Sequence, residues 1–143
     1  MKKKTLIMTM AALLTFGVAS QVSSLQATTV ANVAGAEKQA EIQFDTLRIN
    51  LGTFSEQQAE QKCSFVFTNV GNAPLVINQA FASCGCTVPT YTKEPVKPGE
   101  KGQIDVTYNG KGKHVGRFSK TIVVRSNAKT EIVRLTIEGM MTE

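Results

Sequence analysis

Along most of this chain apolar residues recur at every second position. The alternation runs through Leu47-Arg48-Ile49-Asn50-Leu51, Cys63-Ser64-Phe65-Val66-Phe67-Thr68, Ile104-Asp105-Val106-Thr107-Tyr108 and Val133-Arg134-Leu135-Thr136-Ile137-Glu138. A period of two places one set of side chains on a buried face and the other toward water, as in a half-buried β-strand. Leu75-Val76-Ile77 and Ile122-Val123-Val124 are continuous apolar runs and read as more fully buried strands. Turn signals stand between the runs: Asn69-Val70-Gly71-Asn72-Ala73-Pro74, Lys97-Pro98-Gly99-Glu100, Asn109-Gly110 and Ser126-Asn127. Pro98-Gly99 suits the central pair of a type II turn, because proline presets φ and glycine accepts the positive φ that follows. The stretch 55–62 is too short for a helix and has no apolar stripe, so it predicts a polar loop.

About seven short strands with regular punctuation predict an all-β fold, an antiparallel immunoglobulin-like β-sandwich. Its expected core is Phe44, Leu47, Ile49, Phe65, Phe67, Leu75, Ile77, Ile104, Val106, Phe118, Ile122, Val124, Leu135 and Ile137. The chain has no tryptophan and no widely spaced cysteine pair suited to the inter-sheet bridge of antibody domains, so that hallmark is not expected.

The N-terminus follows a different pattern. Lys2, Lys3 and Lys4 precede a mostly apolar run at 6–18, and Ala19, Ser20, Ser23, Ser24 and Ala27 follow it. A basic head, a short apolar core and a small-residue exit predict a secretory signal peptide over 1–27, with a second cleavage point after Ala36. The run falls short of the roughly 20 residues of a membrane-spanning helix, so no integral membrane segment is expected after cleavage. A polar lead at 28–40 and a single sandwich domain at 41–143 complete the expected organisation. The protein is expected to be periplasmic or secreted.

Export alters the charge picture. The whole chain carries 16 basic and 11 acidic residues, a net charge of +5. The leader removes three lysines and no acid, which leaves 13 against 11, or +2. The remaining basic residues are interspersed with acids, so nucleic acid is not an expected partner.

Candidate chemistry is confined to sulfur. Cys84 and Cys86, separated by Gly85, form the candidate disulfide or thiol site. A bridge between them closes a small, strained ring, and strained disulfides are more readily reduced. The alternatives are a redox-active dithiol, a disulfide to a partner, or two thiolates for Cu(I), which makes the same pair the only metal candidates. Zinc is not expected, because a closed structural site takes four ligands and the chain offers three cysteines and one histidine. Cys63 shares a face with Phe65 and Phe67 and reads as a small core residue, although a bridge to Cys84 or Cys86 is open to it. His114 lies in a basic, glycine-rich connection and reads as a solvated loop residue. Glu94, Glu100 and Asp105 lie near turns with nothing to mark an acid–base pair, so neither an enzyme nor a cofactor is expected.

Several of these segments, taken in order, resemble one bacterial family. They are Phe65-Val66-Phe67-Thr68-Asn69-Val70-Gly71-Asn72-Ala73-Pro74-Leu75-Val76-Ile77, Ser83-Cys84-Gly85-Cys86-Thr87, Lys97-Pro98-Gly99-Glu100-Lys101-Gly102 and Leu135-Thr136-Ile137-Glu138-Gly139. The family is exported, is known only as a domain of unknown function, and has an immunoglobulin-like fold similar to the ASPM/hydin and major-sperm-protein sandwiches. The resemblance spans roughly 41–140. It implies a fold and an export route and carries over no catalytic residue; Cys63 lies outside the shared pattern. The resulting expectation is a binding or structural module with a protein partner in the cell envelope. A thiol-based redox or copper-handling role at Cys84 and Cys86 is the alternative.

Overall fold

A computed structural model describes residues 37–143. The expected signal peptide at 1–27, the second cleavage point and most of the lead lie outside the described residues. Eight strands follow in order: β1 (Ile42–Phe44), β2 (Arg48–Ser55), β3 (Glu60–Asn69), β4 (Ile77–Ala82), β5 (Thr87–Tyr91), β6 (Lys101–Asn109), β7 (Gly116–Ser126) and β8 (Ile132–Thr142). They form two four-stranded sheets, ordered β1-β3-β6-β5 and β2-β8-β7-β4. The layers are those of an immunoglobulin-like sandwich.

Two details depart from the sequence reading. The sandwich is not wholly antiparallel, because β2 pairs with β8 in parallel. The cause is a change of sheet at 45–47. Asp45 N–H donates to Val66 O in the first sheet at 3.0 Å, and two residues later Leu47 O accepts from Thr136 N–H in the second at 2.8 Å. Once across, the chain meets β8 with no hairpin to impose an antiparallel direction. The crossover also corrects the expected core, since Leu47 is 53% exposed. Leu47 fits the period of two but precedes the strand that gives this period a buried face.

The rest of the expected core forms. Phe65, Phe67, Leu75, Ile104, Ile122, Leu135 and Ile137 are fully buried between the sheets, while Phe44, Ile49 and Phe118 pack at its rim. Full burial of a side chain of this size contributes about 1.5–3 kcal/mol. Phe54, Ala59, Val96, Tyr108 and Met141 join the core beyond the expected set. Phe54 escapes the period because a bulge between Asn50 and Thr53 shifts the inward parity from Ile49 and Leu51 to an even position. Its ring meets Tyr108 and Phe118, which stack at 4.2 Å between centroids and 3° between planes.

The turn residues fix how the strands are joined. Glu100 N–H donates to Lys97 O at 3.0 Å, and Gly99 sits at φ +82°, as a type II turn over Pro98-Gly99 requires. Asn69 is fully buried, and its amide uses both donors and both acceptor sites. Nδ2 donates to Ala73 O at 2.7 Å and Val96 O at 2.9 Å; Oδ1 accepts from Gly71 N–H at 3.0 Å and Glu41 N–H at 3.4 Å. One side chain thereby ties together the segment before β1, the turn after β3 and the loop before β6. Ala40, the last residue of the expected lead, is 2% exposed and bridges to Ala128. The expected polar loop at 55–62 contains a short 3-10 turn, Glu56–Gln58, and β3 starts earlier than the sequence implied, at Glu60.

Candidate functional site

The run Leu75-Val76-Ile77 leads into an edge strand. Leu75 bridges to Val96, and β4 borders the second sheet with only β7 beside it. In an antiparallel ladder, hydrogen-bonded and non-hydrogen-bonded pairs alternate. Ser83 N–H donates to Thr121 O, and the register pairs Phe81 with Val123 and Gln79 with Arg125. Gln79, Phe81 and Ser83 therefore bond toward β7. The N–H and C=O groups of Ala80 and Ala82 point the other way, along the open edge. Both alanines are half-buried, Phe81 is 43% exposed, and the strand contains neither proline nor a charged residue.

The other three edges are blunted. β1 has three residues. β2 is broken by its bulge and opens on Arg48, which is ion-paired to Glu138 at 2.7 Å. On β5, Asn109 N–H donates to Cys86 O and Thr92 N–H to Gln103 O, so the even positions face β6. The outward positions are Thr87, whose N–H is taken by Cys84 O at 3.2 Å, Pro89, which has no N–H, and Tyr91.

The cysteines sit where β4 passes into β5. Cys84 and Cys86 form a close pair with their sulfurs in disulfide contact and their Cα atoms 5.3 Å apart. Two backbone bonds hold the turn: Thr87 N–H to Cys84 O, and Asn109 N–H to Cys86 O at 2.7 Å. Thr87 is 3% exposed, and its Oγ1 lies 3.8 Å from Cys84 Sγ and 3.7 Å from Cys86 Sγ. The sequence run contained Thr87, but its inward orientation depends on where β5 begins, which the alternation did not reveal.

The remaining candidates stay apart from this site. Cys63 is a free thiol on the inward face of β3, half-buried against the core beside Phe65 and Phe67. Burial pushes its pKa up, and the Asp105 carboxylate adds to the effect. His114 is exposed in the β6–β7 loop. Among the described residues no three His, Cys, Asp or Glu side chains gather to hold a metal ion, and no helix is long and apolar enough to cross a membrane.

Solved structures share this architecture. A protein of unknown function from Porphyromonas gingivalis W83 matches with a TM-score of 0.61 at 13% identity, over 72% of this chain and 48% of that one. The chain thus spans about half the length of that relative. The PapD-like domain 7 of human CEP192 matches with a TM-score of 0.54 at 9% identity, over 74% of this chain and 88% of that one. The YadV chaperone matches with a TM-score of 0.54 at 13% identity, over 72% and 53%. At these identities the likeness is one of fold. No curated protein matches the chain. The model of one family covers residues 42–141, most of the sandwich and more than half of the chain, and the chain therefore belongs to the family described as Protein of unknown function (DUF1573).

Proposed function

We propose that the chain is an exported, non-catalytic binding module of the cell envelope that takes up an extended segment of a partner protein along the free edge of β4. One observation carries this reading. Three of the four sheet edges are short, bulged or stripped of donors. β4 has a bulge of its own between Ile77 and Gln79, and Tyr91 Oη donates to Asn78 O at 3.2 Å, but beyond that point the polar groups of Ala80 and Ala82 stay open beside an exposed Phe81. Open, uncharged edges invite pairing with another chain, and native proteins usually blunt them. An added strand gains main-chain hydrogen bonds at such an edge and reads its neighbours through alternate side chains. The basic head and apolar run of the leader support export, and the likeness to the YadV chaperone supports a role in holding other proteins.

The outer face beside β4 narrows the partner's chemistry. Arg125 lies opposite Gln79, and Arg134 lies opposite Val123, itself the neighbour of Phe81. Glu138 on the same face is already paired with Arg48. Carboxylates at the outward positions of an incoming strand fit this surface.

The test is affinity capture from the envelope by the processed protein and by Ala82→Pro. Proline at 82 removes an outward donor and none that bonds β7. The variant is expected to keep its β-sheet circular dichroism and to lose the captured protein. Undiminished capture by the folded variant contradicts the reading. Serine at both Cys84 and Cys86 is expected to leave capture intact.

A further inference from the structure

We propose that the Cys84–Cys86 pair is a thiol–disulfide exchange site, with Thr87 as the group that stabilises the departing sulfur and a dithiol-bearing polypeptide as its substrate. The proposal is independent of strand capture at β4. It starts from the hydroxyl of Thr87. This side chain is 3% exposed, and both sulfurs lie within 3.8 Å of its oxygen. Disulfide sulfur is a weak acceptor, whereas thiolate sulfur bears a full negative charge, and hydrogen bonds to charged groups are the stronger ones. A buried hydroxyl aimed at two sulfurs therefore favours the broken bond over the intact one.

The two sulfurs are not equivalent. Cys86 packs against the core, and its carbonyl is fixed by Asn109 N–H at 2.7 Å. Cys84 occupies the bend that leaves β4 and does not belong to the core cluster. Attack therefore falls on Cys84, and Cys86 is the leaving sulfur. Asn109 also opens a loop carrying exposed Lys111 and Lys113. Glu60, opposite Asn109 across the β3–β6 ladder, is already paired with Lys62 at 3.2 Å. The positive charge of this loop favours an anionic sulfur at the turn.

The exchange balances without a further reagent. A thiolate of the reduced partner bonds to Cys84 Sγ, the Cys84–Cys86 bond breaks, and its electron pair departs on Cys86 Sγ beside the Thr87 hydroxyl. The partner's second thiolate then bonds to the partner sulfur of the mixed disulfide and expels the Cys84 thiolate. The partner loses two electrons and gains a disulfide. Cys84 and Cys86 gain those electrons and end as thiols carrying the partner's two protons. Each chain performs one such conversion. A monothiol would stall at the mixed disulfide, because Cys86 attacks back, and this sets the substrate as a dithiol.

The test uses the oxidised full chain with reduced dithiothreitol as the dithiol probe, followed by alkylation and mass measurement. The pair is expected to open at least about tenfold faster than oxidised glutathione under the same conditions, since a stabilised leaving thiolate departs faster. Thr87→Val is expected to slow opening about tenfold, and Thr87→Ser, which keeps the hydroxyl, to retain the parent rate. With excess glutathione and acid quenching, the mixed disulfide is expected on Cys84. Opening no faster than that of oxidised glutathione, equal rates in the valine and serine variants, or an adduct on Cys86 would each overturn the proposal.

Discussion

Asn69 shows how much of the fold can depend on one side chain. Its amide reaches Ala73 O, Val96 O, Gly71 N–H and Glu41 N–H from a fully buried position. Asn69→Leu keeps the volume but removes all four bonds; Val96 O retains Leu75 N–H, while Ala73 O and the N–H groups of Gly71 and Glu41 lose this partner in a half-buried setting. The loss is expected to be about 2–4 kcal/mol, read as a lower urea midpoint at unchanged slope. Gly71 works beside it: an added Cβ would lie 2.7 Å from Ala40 C, so Gly71→Ala pushes the backbone at 39–41 away from the turn. Cys63 makes a pH prediction. Its folded pKa lies above that of the unfolded chain, through burial first and Asp105 second. The folded state therefore holds its proton longer, and the contribution is intact below the unfolded thiol's pKa and fades as pH rises through the folded one. Stability is expected to decline across that alkaline window in the parent and to decline less in Cys63→Ala, as followed by denaturant midpoints. An identical decline in both would contradict this assignment.

Among the elements, β4 and β5 make the sharpest contrast. Both are edge strands, and they follow one another in the chain. β5 spends its outward donors or lacks them, at Thr87 and Pro89; β4 leaves Ala80 and Ala82 open. Pro89→Val restores an outward N–H to β5 without touching the bonds to β6. The variant is expected to self-associate with rising concentration, seen by sedimentation, where the parent does not; equal behaviour would show that Pro89 is no guard. Element identity was largely legible from the period of two and from the turn chemistry, and Pro98-Gly99 formed the turn its residue types require. Element edges were not. The bulge between Asn50 and Thr53 inserts a residue that shifts parity, which hid Phe54 from the alternation. Leu47 showed the opposite failure: it kept the period while lying in the crossover between sheets.

At the scale of the whole molecule, alternation predicts two facing layers but not which strands adjoin. Pairing is a long-range matter of register and crossover, so the parallel β2–β8 contact and the place of β4 at an edge emerge only in three dimensions. The same holds for the site. The sequence supplied Cys84 and Cys86, while the inward Thr87 and the outward alanines follow from where β5 begins and which side of β4 faces β7. If the backbone groups of Ala80 and Ala82 form an open row along β4, amide hydrogen exchange on the purified protein will show it. Gln79, Phe81 and Ser83 are expected to exchange slowly, and Ala80 and Ala82 between them quickly. Uniform protection along β4 would mean that its edge is already covered, and uniform fast exchange that it is not paired with β7; either result contradicts the account.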